Sequence, residues 1–311
     1  MNENIMVSIC CPVYNHEKYL RKCLDGFINQ KTNFKFEVLI HDDASTDNSA
    51  TIIREYEKRY PDIIKPIYQK ENQYSKGVKI SFIYQYPRAK GKYIALCEGD
   101  DYWCDDNKLQ TQVEYLETHD NCSMCFHSTK MINCKTDEEC IQSAYKKNCI
   151  APTSDIIIGG GMFVPTASIV FRKKYICEIP DYFYKADVGD YPLQIHLASK
   201  GDVYFFSKAM SVYRYDREGS WTERHLNQSI EEKKKHWRVE CEWLEDFNKE
   251  TSYQYTKAVA NQILVYQYLF YDHGEKNKKE LYEYARRVSK WQYIKTVIRT
   301  FLFDIWRSLK F

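Results

Sequence analysis

Four short apolar runs, spaced by stretches of helix length, constrain the first 120 or so residues of this 311-residue chain. Val7 to Pro12, Phe36 to Ile40, Ile63 to Tyr68 and Tyr93 to Cys97 are compact and largely free of charge, the pattern of strands buried on both faces. Between the first two, Leu20, Cys23, Leu24, Phe27 and Ile28 recur at helical spacing within Glu17 to Gln30. The turn Asp42-Asp43-Ala44-Ser45-Thr46-Asp47 offers N-cap residues to a helix ending near Tyr60, and Val78 to Ala89 is predicted as a third helix. Strands joined by helix-length crossovers specify a mainly parallel α/β sheet. Such sheets bind ligands beyond the carboxyl ends of their strands.

The punctuation residues divide the chain. All eight prolines lie at or before Pro192 and ten of eleven glycines at or before Gly219, so a helical region is predicted from about residue 226. The expected organisation is a catalytic domain over 1–225 and a helical extension over 226–311. Lys and Arg number 45 against 43 Asp and Glu, too even a balance for binding nucleic acid by phosphate neutralisation. No apolar stretch reaches the roughly 18 residues of a membrane span. Met1 to Met6 lacks the pattern of a secretory leader, so the twelve cysteines are expected to be reduced and the protein cytoplasmic. Only Cys122 and Cys125 are closely paired among Cys122, Cys125, Cys134, Cys140 and Cys149, and small buried hydrophobes explain them better than zinc.

Polar clusters follow three of the apolar runs: Pro12-Val13-Tyr14-Asn15, His41-Asp42-Asp43-Ala44-Ser45 and Glu98-Gly99-Asp100-Asp101. Crowded carboxylates repel one another unless a cation or a donor stands among them. Hard oxygen ligands in an open loop suit Mg²⁺ or Mn²⁺, which usually completes its shell with phosphate oxygens. Helix capping and a solvated turn are the alternative uses of the same residues. Neither a G-x-x-x-x-G-K-[ST] loop nor a G-x-G-x-x-G turn is present, which excludes the common kinase and dinucleotide-binding patterns.

Three segments carry a resemblance. Ser8-Ile9-Cys10-Cys11-Pro12-Val13-Tyr14-Asn15, Glu37-Val38-Leu39-Ile40-His41-Asp42-Asp43-Ala44-Ser45-Thr46-Asp47 and Leu96-Cys97-Glu98-Gly99-Asp100-Asp101-Tyr102-Trp103 resemble family 2 glycosyltransferases of the kind that assembles bacterial polysaccharides. The likeness covers about residues 5–225 and implies a GT-A fold, Rossmann-like with flanking helices. It implies that Pro12, Val13, Tyr14 and Asn15, with Asp43 or its neighbour Asp42, hold the nucleotide, usually uridine. Glu98, Gly99 and Asp100 match the Asp-x-Asp motif that binds the metal and the donor diphosphate, with Glu98 in place of the first aspartate. Val188-Gly189-Asp190-Tyr191-Pro192-Leu193 matches the catalytic-base motif; Gly189 replaces one acid, which leaves Asp190 as the base, although a helix N-cap would also account for it.

The resemblance extends to Tyr213-Arg214-Tyr215-Asp216-Arg217-Glu218-Gly219-Ser220, where relatives carry Tyr-Arg-x-His before a closing loop. Asp216 replaces the histidine and is a third metal-ligand candidate beside Glu98 and Asp100. Arg214 and Arg217 are phosphate ligands by this reading, or else partners of Glu218 or Asp216 in surface ion pairs. Pro165 to Arg172 resembles the strand beside the acceptor, and His127 is read as structural. The implied reaction is metal-dependent, inverting transfer from a nucleotide sugar, most often a UDP-sugar, to a glycan or lipid-linked glycan. A non-catalytic nucleotide- or glycan-binding scaffold and a nucleotidyltransferase are the competing readings. Tyr14-Asn15-His16-Glu17 stands against the nucleotidyltransferase, which carries a Gly-rich basic loop there.

As a helix, the last 20 or so residues place Trp291, Ile294, Ile298, Phe301, Leu302, Ile305 and Leu309 on one face, flanked by Lys295, Arg299, Arg307 and Lys310. Packing against protein and peripheral contact at the inner face of the cell membrane both account for such a stripe.

Overall fold

The computed structural model describes residues 4–217, 221–274 and 278–308, with the side chains of 221–222 and 305–308 left out. Its elements begin with strand β1 (Ile5–Val13), helix α1 (Leu20–Ile28), β2 (Lys35–Asp42), α2 (Ser49–Arg59), β3 (Ile64–Tyr68) and β4 (Tyr93–Leu96). These four strands lie parallel in the order β3-β2-β1-β4. Because the chain runs outward from β1 to β2 and β3 and then returns to the other side, the sheet reverses its winding at β1. Val7, Ser8, Ile9, Cys10 and Cys11 are all buried, as a strand covered on both faces requires. Leu20, Cys23, Leu24 and Phe27 pack from α1 onto this core.

The segment from Val78 to Ala89 is not the regular helix its pattern predicts. It forms a wide turn over Ser81–Gln85 with i→i+5 bonding, then a tight 3₁₀ turn over Tyr86–Arg88. Pro87 lacks an N–H and restricts the residue before it, so a regular helix is interrupted there. The irregular winding serves the sheet: buried Gln85 donates to the Leu39 carbonyl at 2.6 Å, and Arg88 donates to those of Ile40 and Lys65.

The rest of the sheet is mixed. It comprises β5 (Tyr102–Trp103), β6 (Cys122–Asn133), β7 (Glu139–Gln142), β8 (Cys149–Ala151), β9 (Val170–Arg172) and β10 (Asp202–Tyr215). Helices α3 (Lys108–Thr118), α4 (Thr153–Gly159), α5 (Tyr182–Lys185) and α6 (Asp190–Lys200) intervene. β9 joins β4 to β6 through antiparallel pairing, and β10 runs parallel to β6 before bending toward β5. Arg172 is buried at the β9 end and donates to the Cys122 carbonyl at 2.7 Å and the Tyr93 hydroxyl at 3.0 Å. Pro165 to Arg172 thus contributes to the framework, with Ala167 and Ser168 accepting bonds from Trp103 and Gln112.

Two compact units result. The first holds the sheet and runs through Thr153, Gly161–Ile179 and Val188–Arg224. The second takes Ser154–Gly160, Pro180–Asp187 and the chain from His225 onward. Helices α7 (Trp221–Leu226), α8 (Ile230–Glu250), α9 (Thr256–Asp272), α10 (Lys278–Val288) and α11 (Lys290–Ser308) complete the chain. A capping box between Ser229 and Glu232 starts α8. Within the second unit, Trp243, Leu244 and Phe247 of α8 are buried, and Leu264, Tyr271, Leu281 and Ala285 form a small core between α9 and α10. No disulfide joins any of the twelve cysteines, all of which lie among the described residues; Cys122 and Cys125 lie in the apolar core. No helix among the described residues is long and apolar enough to cross a membrane.

Candidate active site

The carboxyl end of β1 is the hub of the candidate site. Its last carbonyls tie down the loops on either side: Val13 accepts from Asp43 N–H at 2.9 Å and Pro12 from Gly99 N–H at 3.1 Å. The chain then turns at Asn15, whose φ of 56° is tolerated by asparagine better than by most side chains. Asn15 donates its N–H to Ser45 Oγ at 3.0 Å and accepts from Thr46 N–H at 2.8 Å through its side chain. His16 N–H to Ser49 Oγ and Glu17 N–H to Asp47 Oδ2 continue the same seam. Asn15 is therefore a strut between two loops, while the Tyr14 ring beside it stays exposed.

The two adjacent aspartates differ in use. Asp43 accepts from the N–H groups of Gln73 at 2.7 Å and Tyr74 at 3.0 Å, one on each oxygen, which pins the loop after β3. Asp42 is buried, yet its Oδ1 has no hydrogen-bond partner, and burial raises its pKa against the opposing effect of Ser45. Asp43 thus spends one lone pair of each oxygen on the 73–74 backbone, while Asp42 keeps a buried oxygen without a partner.

Across β1, the turn after β4 brings Glu98, Gly99, Asp100 and Asp101 to the same sheet edge. A Cβ on Gly99 would stand 2.8 Å from His16 Nδ1 and 2.9 Å from Val13 Cγ2, so the turn fits against β1 only with glycine there. Asp100 Oδ2 lies 2.8 Å from Arg217 Nη2 and 3.8 Å from His16 Nε2. Its other oxygen, Oδ1, is buried without a hydrogen-bond partner. Arg214 braces the turn: its N–H donates to Asp101 Oδ1 at 2.9 Å, its guanidinium to the Asp100 carbonyl, and the guanidinium lies over the rings of Tyr19 and Tyr102. Asp101, fully enclosed, has its pKa raised by burial first and by Asp100 next.

Glu98 is exposed to water, in contrast to its buried neighbours Gly99 and Asp100. Desolvation by the protein around it, with the charges of Asp100 and Asp190 added, nevertheless pushes its pKa up to about 8. Asp190, 92 positions further along the chain (190 minus 98), is near enough for its charge to act on Glu98. It is the first residue of α6, and Gly189 takes the cap position that the sequence also allowed for Asp190. Its Oδ1 accepts from Tyr191 N–H at 2.8 Å. Burial nevertheless raises its pKa, opposed by local backbone N–H groups and by Lys79. Asp216 takes a different position: it accepts from Asn133 Nδ2 at 2.9 Å through Oδ2, at a φ of 55°.

Among the described residues no three His, Cys, Asp or Glu side chains are placed to hold a metal ion by themselves. Glu98, Asp100 and Asp216 therefore do not assemble into a ready ligand set. The unpartnered Asp100 Oδ1 does fit a hard cation that takes one or two carboxylates and completes its shell with phosphate oxygens. Arg217 pairs with Asp100, not with Asp216; Glu218 and the loop over 218–220 lie outside the described residues. His127 is enclosed in the core, its Nδ1 2.7 Å from the Ser128 carbonyl, and burial lowers its pKa. His16 stands beside Asp100, and the charge of Lys79 acts on Asp190, without a motif signal at either position. Only loop packing brings them there.

The sequence profile described as Glycosyl transferase family 2 matches residues 8–176. An uncharacterized protein of Mycobacterium tuberculosis is 37% identical over 220 residues, covering 69% of this chain; the chain spans 60% of that relative's length. A putative teichuronic acid biosynthesis glycosyltransferase of Bacillus subtilis is 32% identical over 111 residues, 36% of this chain and 42% of that protein. Residues 1–349 of S. aureus TarS in complex with UDP-GlcNAc match with a TM-score of 0.64 at 18% identity, covering 93% of this chain and 83% of that one. A mannosyltransferase from Pyrobaculum calidifontis in complex with GDP-Man and Mn²⁺ matches with a TM-score of 0.54 at 13% identity, covering 96% and 88%. The shared fold is GT-A.

Proposed function

Since the chain belongs to glycosyl transferase family 2, we propose that it moves a sugar from a UDP-sugar to a hydroxyl of a glycan or lipid-linked glycan, with inversion. The observation that carries this reading is the unpartnered Asp100 oxygen in the turn that Gly99 fastens to the end of β1, where the sheet reverses its winding. The nucleotide lies against Tyr14 and the loop from Pro12 to Asn15, with Asp42 accepting from the base. UDP-GlcNAc in the TarS complex supports uridine as the nucleotide, and the relative named for teichuronic acid biosynthesis supports a glycan as the acceptor.

In the chemical step Asp190 accepts the proton of the acceptor hydroxyl as its oxygen attacks the anomeric carbon. The bond from that carbon to the diphosphate oxygen breaks, and the electron pair leaves with the nucleotide diphosphate. The raised pKa of Asp190 suits it to hold that proton, and base catalysis of this kind contributes roughly 10²–10⁴-fold. Asp100, with Glu98 beside it, would hold a Mn²⁺ or Mg²⁺ ion, which when bound neutralises charge on the departing diphosphate. Mn²⁺ in the mannosyltransferase complex supports that cofactor. Asp216 would join this ligand set only after releasing Asn133. Arg214 and Arg217 supply fixed positive charge on the same side. The catalytic domain we assign is 1–225, and the location we assign is the cytoplasm.

A second reading, a binding or scaffold protein without turnover, draws on one observation: Arg217 already neutralises Asp100. Thermal shift with UDP, GDP, CMP and TDP, each with and without Mn²⁺, separates the two when followed by UDP-release assays on candidate UDP-sugars. Stabilisation by UDP with Mn²⁺, lost in Asp100→Ala, together with UDP release supports the transferase. Stabilisation without release from any sugar donor favours the scaffold.

A further inference from the structure

Helix α11 turns Thr296 and Thr300 inward beside Tyr293 and Phe303, which pack onto the core of the second unit. Thr296 and Thr300 are fully buried, and their hydroxyls meet those of Tyr268 at 2.6 Å and Tyr282 at 2.8 Å. Ion pairs of Arg299 with Asp272 and of Lys278 with Asp304 fasten the same side. An apolar stripe is left to water: Trp291 is 63% exposed, Ile298 53%, Phe301 63% and Leu302 58%. Only part of the helix's apolar surface is therefore buried, and the stripe from Trp291 to Leu302 is left uncovered. A contiguous exposed apolar patch of this kind marks an interaction surface.

We propose that the exposed face of α11 seats in the headgroup region of an anionic lipid bilayer. Charge complementarity selects that occupant. Of the five basic residues from Lys290 to Phe311, Lys295 stands beside the exposed apolar face, free of any carboxylate among the described residues, and Arg299 borders it while paired with Asp272; the one acid, Asp304, is paired with Lys278. Lys295 and Arg299 line the shallow apolar groove formed with Trp291, Ile298, Leu302 and Phe303. The Lys295 ammonium lies 5.5 Å from the Trp291 ring centre, so an apolar body and a cationic tip are presented together, as at a lipid interface. A second copy of the chain is disfavoured on the same ground, because two-fold pairing of this face brings basic side chains against one another. The helix is too polar to cross the bilayer, so it lies in the surface.

Flotation of the full chain with vesicles of POPC, and of POPC with one-third POPG, tests this directly. The chain is expected to float with POPG-containing vesicles and not with POPC alone, and to be released by salt. Phe301→Glu should abolish flotation, and Lys295→Glu should weaken it by at least about fivefold, near the effect of one basic residue at such a surface. Both positions are exposed, so both variants should keep the wild-type melting temperature. Absence of flotation with POPG, or flotation that Phe301→Glu leaves intact, overturns the proposal. So does a dimer, measured by light scattering, that Phe301→Glu dissociates. The inference does not depend on the transferase reading, which fails or stands on nucleotide binding and turnover.

Discussion

The guanidinium of Arg217 lies 2.8 Å from Asp100 Oδ2, joining residues 117 positions apart (217 minus 100) in a pair that is largely shielded from water. Arg217 thus stands as the resident cation of the acidic group. A divalent ion bound to Asp100 competes with it. Arg217→Met is expected to remove about 2 kcal/mol of stability by leaving Asp100 without its charged partner. Addition of Mn²⁺ should restore that loss. Titration of Mn²⁺ by electron paramagnetic resonance, without nucleotide, should show tighter binding in the variant than in the wild type. Unchanged or weaker Mn²⁺ binding refutes the competition.

Asp190→Asn keeps the size of the side chain and removes the base. Turnover should fall by roughly 10²–10⁴-fold. The dissociation constant for UDP, measured by calorimetry, should change little, because Asp190 is assigned to the acceptor. Near-wild-type turnover would remove Asp190 from the mechanism.

Glu98 sets a pH dependence whose sign is fixed. Its pKa is raised from 4.5 to about 8, so between those values the folded chain holds a proton that the unfolded chain has released. Stability from this group is therefore lost as pH rises through that window. Asp42 and Asp190 act in the same direction, whereas His16 and His41, lowered by burial, act in the opposite one. The comparison of wild type with Glu98→Gln isolates the one group. The variant should gain on the wild type in melting temperature from pH 5 to pH 8, and Mn²⁺ should shrink the difference. A pH-independent difference would contradict the shift.

Asp42→Asn and Asp43→Asn should separate binding from architecture. Asp43→Asn loses a charged acceptor of two backbone N–H groups, so the 72–74 loop should exchange its amide hydrogens faster. Asp42→Asn should leave that loop protected and weaken UDP binding. Identical behaviour of the two variants would count against the assignment of the base contact to Asp42.

Gly99→Ala places a methyl group 2.8 Å from His16 Nδ1 and 2.9 Å from Val13 Cγ2. Such overpacking destabilises by roughly 1–3 kcal/mol. The Mn²⁺-dependent response to UDP should be lost at temperatures where the variant is still folded, because the turn that holds Asp100 must shift. An unchanged response would show that the turn relaxes without moving Asp100.

Much of this protein was legible in the sequence because the signals are local. Strand and helix alternation follows from apolar spacing, and Val7 to Cys11 reads as buried on both faces because polar residues are nearly absent from it. Strand ends are recognisable from the switch to Asp, Asn, Ser and Gly, so Pro12–Asn15, Asp42–Asp43 and Glu98–Asp101 read as one sheet edge from the sequence alone. The helix expected from Val78 to Ala89 misled for a tertiary reason: its winding adapts so that Gln85 and Arg88 reach carbonyls of neighbouring strands.

Tertiary structure decided what those residues do, because hydrogen bonds and ion pairs depend on approach in space and not on spacing along the chain. Asn15 and Asp43 match the motif, and in the fold their polar atoms also tie neighbouring loops together; Asp42 keeps a buried oxygen without a partner. Asp100 gained Arg217 and His16 as neighbours, and Asp216 gained Asn133. The stripe on α11 was visible as a period, but periodicity is the same whether a face is covered or bare. Only the inward packing of Thr296 and Thr300 showed that the stripe from Trp291 to Leu302 faces water.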